Sequence, residues 1–143
     1  MYAIDINILL YASDSTSSFH GKADDFLYKC IKSREICVLP WPVIMGYLRI
    51  ATHPRIFSVP LTYQEAIFNI EAILSQPHVR VVTESNDFWY LYKNLTKDIF
   101  PLGNSVPDAH LAALLQEHDV KTLYSADRDF RKYTFLKVIN PLQ

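Results

Sequence analysis

The sequence predicts an α/β fold: a three-layer α/β/α arrangement around a mostly parallel sheet of four to five strands. Three observations predict it. Short β-like apolar runs alternate with stretches of helical period along the 143 residues. Strands separated by helices call for right-handed crossovers, which make the sheet parallel and put helices on both of its faces. Hydrophobic residues make up 50% of the chain, enough apolar mass for a packed core.

The elements follow in order. Tyr2–Ile6 reads as a buried strand, with helical character from Asn7 to about Ala12. The polar run Ser13–Ser18 is a loop. His20–Lys32 is a helix carrying Ala23, Phe26, Leu27 and Cys30 on one face. Ile36–Leu39 is a second buried strand. Pro42–Ala51 is an apolar helix whose proline suits a first turn and which ends near Thr52-His53-Pro54. Thr62-Tyr-Gln-Glu65 is a capping box opening a helix to about Leu74. Val79–Val82 is the third strand. Ser85 can cap a helix to about Thr96, with Phe88, Leu91, Tyr92 and Leu95 inward. Ser105-Val-Pro-Asp108 opens a helix to about His118. Thr122–Ser125 is the fourth strand, and Lys137–Ile139 a short fifth.

Length fits a single domain over 1–143, and a domain of this size buries roughly 68–70% of its unfolded surface without disulfides or a structural metal. The net charge of −1 argues against a non-specific nucleic-acid coat but leaves room for a local basic groove. Cys30 and Cys37 form neither a CxxC nor a zinc pattern and read as reduced thiols. Gly21, Gly46 and Gly103 are the only glycines, so no dinucleotide-binding or P-loop motif can be built. The first apolar run, Met1–Ile4, meets Asp5 at once, and no stretch approaches the ~20 apolar residues of a membrane span. The expectation is a soluble cytoplasmic protein.

In parallel α/β sheets ligands gather beyond the carboxyl ends of the strands. Asp5 ends the first strand among apolar neighbours, where a carboxylate is costly unless compensated; read alone, Asp5 and Asn7 serve equally as helix N-caps. Asp108 shares its helix face with Leu111, Ala112 and Leu115, so it points inward rather than merely answering the helix dipole. Asp127 and Asp129 follow the fourth strand in Ser-Ala-Asp-Arg-Asp-Phe, also a plausible surface turn. Carboxylates that converge repel one another, and a hard divalent cation, Mg²⁺ or Mn²⁺, removes that penalty.

Taken in order, Ala-Ile-Asp5-Ile-Asn7-Ile-Leu-Leu-Tyr-Ala, Leu-Arg-Ile-Ala-Thr-His-Pro-Arg-Ile-Phe (48–57), Gly-Asn-Ser-Val-Pro-Asp108-Ala-His-Leu-Ala-Ala-Leu, Tyr-Ser-Ala-Asp127-Arg-Asp129-Phe and Asn-Pro-Leu (140–142) resemble a PIN-domain ribonuclease toxin of the VapC type. The resemblance covers nearly the whole chain. It implies Mg²⁺- or Mn²⁺-dependent cleavage of structured RNA, often tRNA or rRNA, with inhibition of translation. It also implies a VapB-type antitoxin that silences the site, and a homodimer. Carried over, Asp5, Asp108 and Asp127 are catalytic metal ligands, Asp129 a further ligand directly or through water, and Asn7 and Ser125 the supporting hydrogen-bonders. Arg49, Arg55 and Arg128 are candidates for RNA phosphate contacts.

One position departs from the pattern. Many PIN domains carry a Glu about where Gly46 stands, and no Glu or Asp lies between Glu35 and Glu65. Gly46 then either permits close packing or marks a missing carboxylate. Two alternatives stand beside the nuclease: a non-catalytic module binding RNA or an antitoxin, and a phosphatase using Asp5 as nucleophile, which would want an Asp at Asn7. The histidines belong to none of these sites: His110 faces away from Asp108, and His20, His53, His78 and His118 read as surface or structural.

Overall fold

The computed structural model spans Met1–Gln143 and holds all five expected strands in one sheet. The elements are β1 (Tyr2–Ile4), α1 (Ile6–Ser13), α2 (His20–Lys32), β2 (Cys37–Pro40), α3 (Trp41–Ala51), α4 (Tyr63–Leu74), β3 (Val79–Val82), α5 (Phe88–Thr96), α6 (Val106–Glu117), β4 (Thr122–Tyr124) and β5 (Lys137–Ile139). The strand order is β3-β2-β1-β4-β5 and every pairing is parallel. Tyr2 pairs with Cys37 on one side of β1, and Ile4 with Tyr124 on the other.

Burial follows position in the sheet. The central strands β1 and β2 are buried along their whole length, as parallel strands covered on both faces must be. Edge strand β3 is only half-buried. The α6 run from Leu111 to Leu115 is buried on every side, so this helix crosses the core rather than lying on its surface. One apolar cluster of 25 buried residues runs from Tyr2 to Leu142, joining both ends of the chain. No helix is long and apolar enough to cross a membrane.

The Thr62–Glu65 capping box forms as expected: Glu65 N donates to Thr62 Oγ1 at 3.2 Å and Thr62 N to Glu65 Oε2 at 2.9 Å. Two boundaries differ from the sequence reading. The first strand ends at Ile4, not Ile6, and Asn7 lies inside α1. The reason is local: Asp5 caps α1, its Oδ1 accepting the Ile6 N–H at 2.7 Å, and that bond starts the helix where a strand would continue. Ser85 does not cap α5: its Oγ accepts the Asp87 N–H at 3.3 Å, ahead of the helix, while its hydroxyl and N–H donate to the Glu117 carboxylate. The helix begins instead at Phe88. As expected, Ser105-Val-Pro-Asp108 opens α6, which starts at Val106 with Pro107 in the first turn and Asp108 third.

Candidate active site

The strand order reverses direction at β1, which is followed in the chain by β2 on one side and flanked by β4 on the other. The crevice beyond the carboxyl ends of β1 and β4 is therefore the topological switch point, where α/β sheets bind ligands. Asp5 leaves β1 at this point, and Ser125, Ala126 and Asp127 leave β4.

Asp5 is 4% exposed and its carboxylate accepts three hydrogen bonds, all from neutral donors. Oδ1 takes the Ile6 N–H; Oδ2 takes the Ser125 hydroxyl at 2.6 Å and Asn7 Nδ2 at 2.8 Å. Asn7 uses its second amide hydrogen on Ser125 Oγ at 3.2 Å and accepts the Ala126 N–H at 3.2 Å. Ser125 Oγ also accepts the Asp127 N–H at 3.0 Å. Every donor and acceptor of Asn7 and Ser125 is thus engaged, and the network joins the two strand ends into one rigid floor.

The other carboxylates stand around this floor. Asp127 caps the 3-10 turn Arg128–Lys132, its Oδ1 accepting the Asp129 N–H at 2.8 Å. Asp108 points from the first turn of α6, half-buried, on the same face as buried Leu111 and Ala112. The electrostatics show that the set shares one neighbourhood. Burial pushes Asp5 up to about 6; its hydrogen bonds to Ser125 and Ile6 hold it down in part, and the charges of Asp108 and Asp127 raise it further. Asp108 is raised by burial first, then by Asp127 and Asp129, against a lowering pull from Lys132.

The donor set fits a hard divalent cation: four carboxylates, with no sulfur or imidazole among them. None of the four is in an ion pair; those the structure forms are Met1–Glu35, His110–Glu84, His118–Glu117 and Lys121–Asp119. As placed, however, no three His, Cys, Asp or Glu side chains close around an ion position.

Gly46 bears on the same corner. A Cβ built at position 46 would sit 2.8 Å from Ile6 Cδ1, so the helix α3 packs onto the first residue of α1 through the bare glycine backbone. Packing alone explains the glycine. The direction of that Cβ also shows that a side chain at position 46 would point toward the residue following Asp5.

Arg49, Arg55 and Arg128 are all exposed and none is engaged in an ion pair. Arg128 opens the turn capped by Asp127 and is the one of the three tied to the acidic cluster by an element; Arg49 sits in the last turn of α3 and Arg55 in the bend after it. His110 pairs with Glu84 and packs edge-on to Phe88, away from the carboxylates. His78 bonds the Cys30 carbonyl and His118 that of Thr83, as structural residues do. Sequence reasoning missed Tyr133, whose buried hydroxyl lies in the field of Asp108. No pattern of spacing distinguishes it from an ordinary core aromatic.

The fold has known counterparts. The PIN domain family model matches residues 2–136, and the chain belongs to that family. Within it the chain is of the VapC type: Ribonuclease VapC48 of Mycobacterium tuberculosis is 42% identical over 137 residues, a span covering 96% of this chain and 94% of that protein. Among solved structures, VapC20 of M. tuberculosis, described as a sarcin-ricin loop cleaving toxin, superposes with a TM-score of 0.71 at 15% identity, covering 95% of this chain and 97% of that one. VapBC2 of Rickettsia felis, solved bound to a DNA fragment from its promoter, gives 0.69 at 15% identity, with 97% of each chain covered.

Proposed function

We propose that this chain is an endoribonuclease toxin that hydrolyses RNA phosphodiester bonds with Mg²⁺ or Mn²⁺ held by Asp5, Asp108, Asp127 and Asp129, and so inhibits translation. The observation that carries the reading is the set of four unpaired carboxylates at the switch point, resting on the Asp5–Asn7–Ser125 network. The ribonuclease names of relatives similar along nearly their full length support it. When bound, the cation would supply an activated water for in-line attack and neutralise charge that builds on the phosphoryl oxygens. The chain's own part is positional. Ser125 and Asn7 keep Asp5 oriented, and the Ser125 and Ile6 bonds hold its pKa down; Asp108 is aimed inward by α6; Asp127 is locked by its own turn. Arg128, with Arg49 and Arg55, would meet the phosphates of a structured RNA such as tRNA or rRNA.

The partner in this reading is a VapB-type antitoxin, supported by the fold's likeness to VapBC2. A groove of about 260 Å³ between α1, α2, α3 and α4 would take one or two apolar side chains of an amphipathic helix: nine of its twelve lining residues are apolar, and Asp24 stands on its wall. Exposed Trp89 and Tyr90 on α5 offer an apolar surface for a homodimer.

The test is cleavage of a structured RNA by purified protein with Mg²⁺, with Mn²⁺ and with chelator, beside Asp108→Asn. Cleavage that needs the cation and is lost in D108N is expected. Cleavage that persists equally in chelator and in the variant overturns the proposal.

A further inference from the structure

A small polar recess lies beyond the carboxyl ends of β4 and β5, one strand over from the acidic crevice. Only two of its eight lining residues are apolar. Asp127, Arg128 and Arg131 line it from the segment after β4, and Asn140 and Gln143 from the segment after β5. Ser125 joins recess and crevice: its N–H bonds the Ile139 carbonyl at 3.0 Å, and its hydroxyl belongs to the Asp5 network. The strands behind the two lie about 4.8 Å apart, the spacing of any paired strands. Both walls are held in place. Asn140 Oδ1 accepts the Leu142 N–H at 2.9 Å, and the Leu142 carbonyl takes Lys22 Nζ at 3.1 Å. Leu142 itself is 2% exposed. Opposite, Asp127 Oδ1 accepts the Asp129 N–H at 2.8 Å and so caps the turn that carries Arg128 and Arg131.

The recess is rich in uncommitted donors. Arg128 and Arg131 line it beside Asp127, yet neither is in an ion pair. Asp127 is the one carboxylate side chain on its wall, and the two guanidiniums outnumber it. Asn140 gives its oxygen to the Leu142 N–H, which leaves its amide hydrogens for another acceptor. Guanidinium groups joined by an amide donor are the chemistry that recognises a phosphate. Size narrows the occupant further. The space is about 10 Å³, room for one water-sized atom, so a phosphoryl oxygen fits where a base or a sugar does not. We propose that the recess seats a non-bridging phosphate oxygen of the RNA backbone, from a nucleotide neighbouring the bond that is cut. Arg131 and Asn140 are its donors and Arg128 stands at its mouth. A phosphate held here and a cation held in the crevice together fix the register of the RNA along the strand ends. This inference rests on the reading of the chain as a ribonuclease.

The test measures binding of a structured RNA by the full chain from low to moderate salt, with Asp108→Asn added to every protein so that the RNA stays intact. Arg131→Ala removes a guanidinium at an exposed position. Asn140→Asp keeps the oxygen that Leu142 needs and puts a negative charge where the amide hydrogens were. Arg34→Ala, in the loop before β2 at the opposite end of the sheet, is the control. R131A and N140D should each bind roughly tenfold more weakly. The salt dependence of R131A should flatten by about one phosphate contact. R34A should bind as the parent does. Parent-like affinity and slope in R131A overturn the proposal, even where N140D proves too unstable to measure. An equal loss in R34A also overturns it, because net charge alone would then explain the effect. Cleavage by the chain with Asp108 intact separates the two levels. If it cuts RNA with Mn²⁺ and R131A binds like the parent, only the recess fails. If it neither binds nor cuts RNA, the ribonuclease reading fails and this inference falls with it.

Discussion

Ser125 donates its hydroxyl to Asp5 Oδ2 at 2.6 Å, joining residues 120 apart in the chain. Ser125 Oγ in turn accepts from Asn7 Nδ2 and the Asp127 N–H, so one small side chain closes the gap between the ends of β1 and β4. Ser125→Ala should cost about 1–3 kcal/mol, because Asn7 and Asp127 each lose an acceptor in a buried setting. It should also raise Asp5 further, since the Ser125 bond is the largest of the effects that lower it. Urea unfolding measures the first effect. A variant within a few tenths of the parent would show that the network adds nothing to stability.

Asp5 predicts a pH dependence. Its folded value of about 6 lies above its ordinary 3.8, so the native state holds this proton more tightly than the unfolded chain does. The associated stability is complete below 3.8 and is lost as pH climbs through about 6. Across that window the metal-free parent should lose on the order of 3 kcal/mol relative to Asp5→Asn, which has no proton to release. Asp108 is shifted in the same direction and adds to the trend in both proteins. Urea midpoints of the two proteins at pH 4 to 7, without metal, check this. A parent–variant difference that does not move with pH contradicts it.

Gly46 sets two effects against each other. Alanine in a helix interior gains about 0.5–1 kcal/mol over glycine, but its Cβ would meet Ile6 Cδ1 at 2.8 Å. Ile6 is only half-buried and its terminal methyl can yield, so Gly46→Ala should be close to neutral. Gly46→Glu carries a larger group into the same contact and should destabilise by about 1–3 kcal/mol. Pairing it with Ile6→Ala should recover most of that loss. Neither single variant should bind Mn²⁺ more tightly than the parent. Tighter Mn²⁺ binding together with faster RNA cleavage in G46E would instead identify a missing carboxylate.

Arg49, Arg55 and Arg128 have no carboxylate partners to release, so removing them should leave the fold nearly unchanged. For an RNA substrate, each alanine variant should weaken binding and flatten its salt dependence by roughly one phosphate contact. Arg128→Ala should have the largest effect, since its turn is capped by Asp127 itself. Binding measured from low to moderate salt gives the slopes. Parent-like slopes in all three variants would move the RNA to another surface.

The sequence by itself determined the alternation of strands and helices, the capping box at Thr62, the inward face of Asp108 and the ordered motifs that name the family, because each is a matter of local spacing or residue order. It also contained the four aspartates and their supporting Asn7 and Ser125. Tertiary structure decided the rest. Whether Asp5 would end a strand or cap a helix was open until Ile6 N–H and the distant Ser125 hydroxyl were both seen to claim its oxygens. That Ser85 stands ahead of α5, donating to Glu117 from a helix 32 residues away in the chain, was visible only in the fold. Gly46 remained ambiguous until Ile6 was found against it, and Tyr133 was indistinguishable from a core aromatic until its hydroxyl proved buried and unpartnered. Period and composition report which face a residue belongs to. Which distant group answers a donor or fills a gap depends on how the packed elements bring remote parts of the chain together, and local pattern carries no record of that.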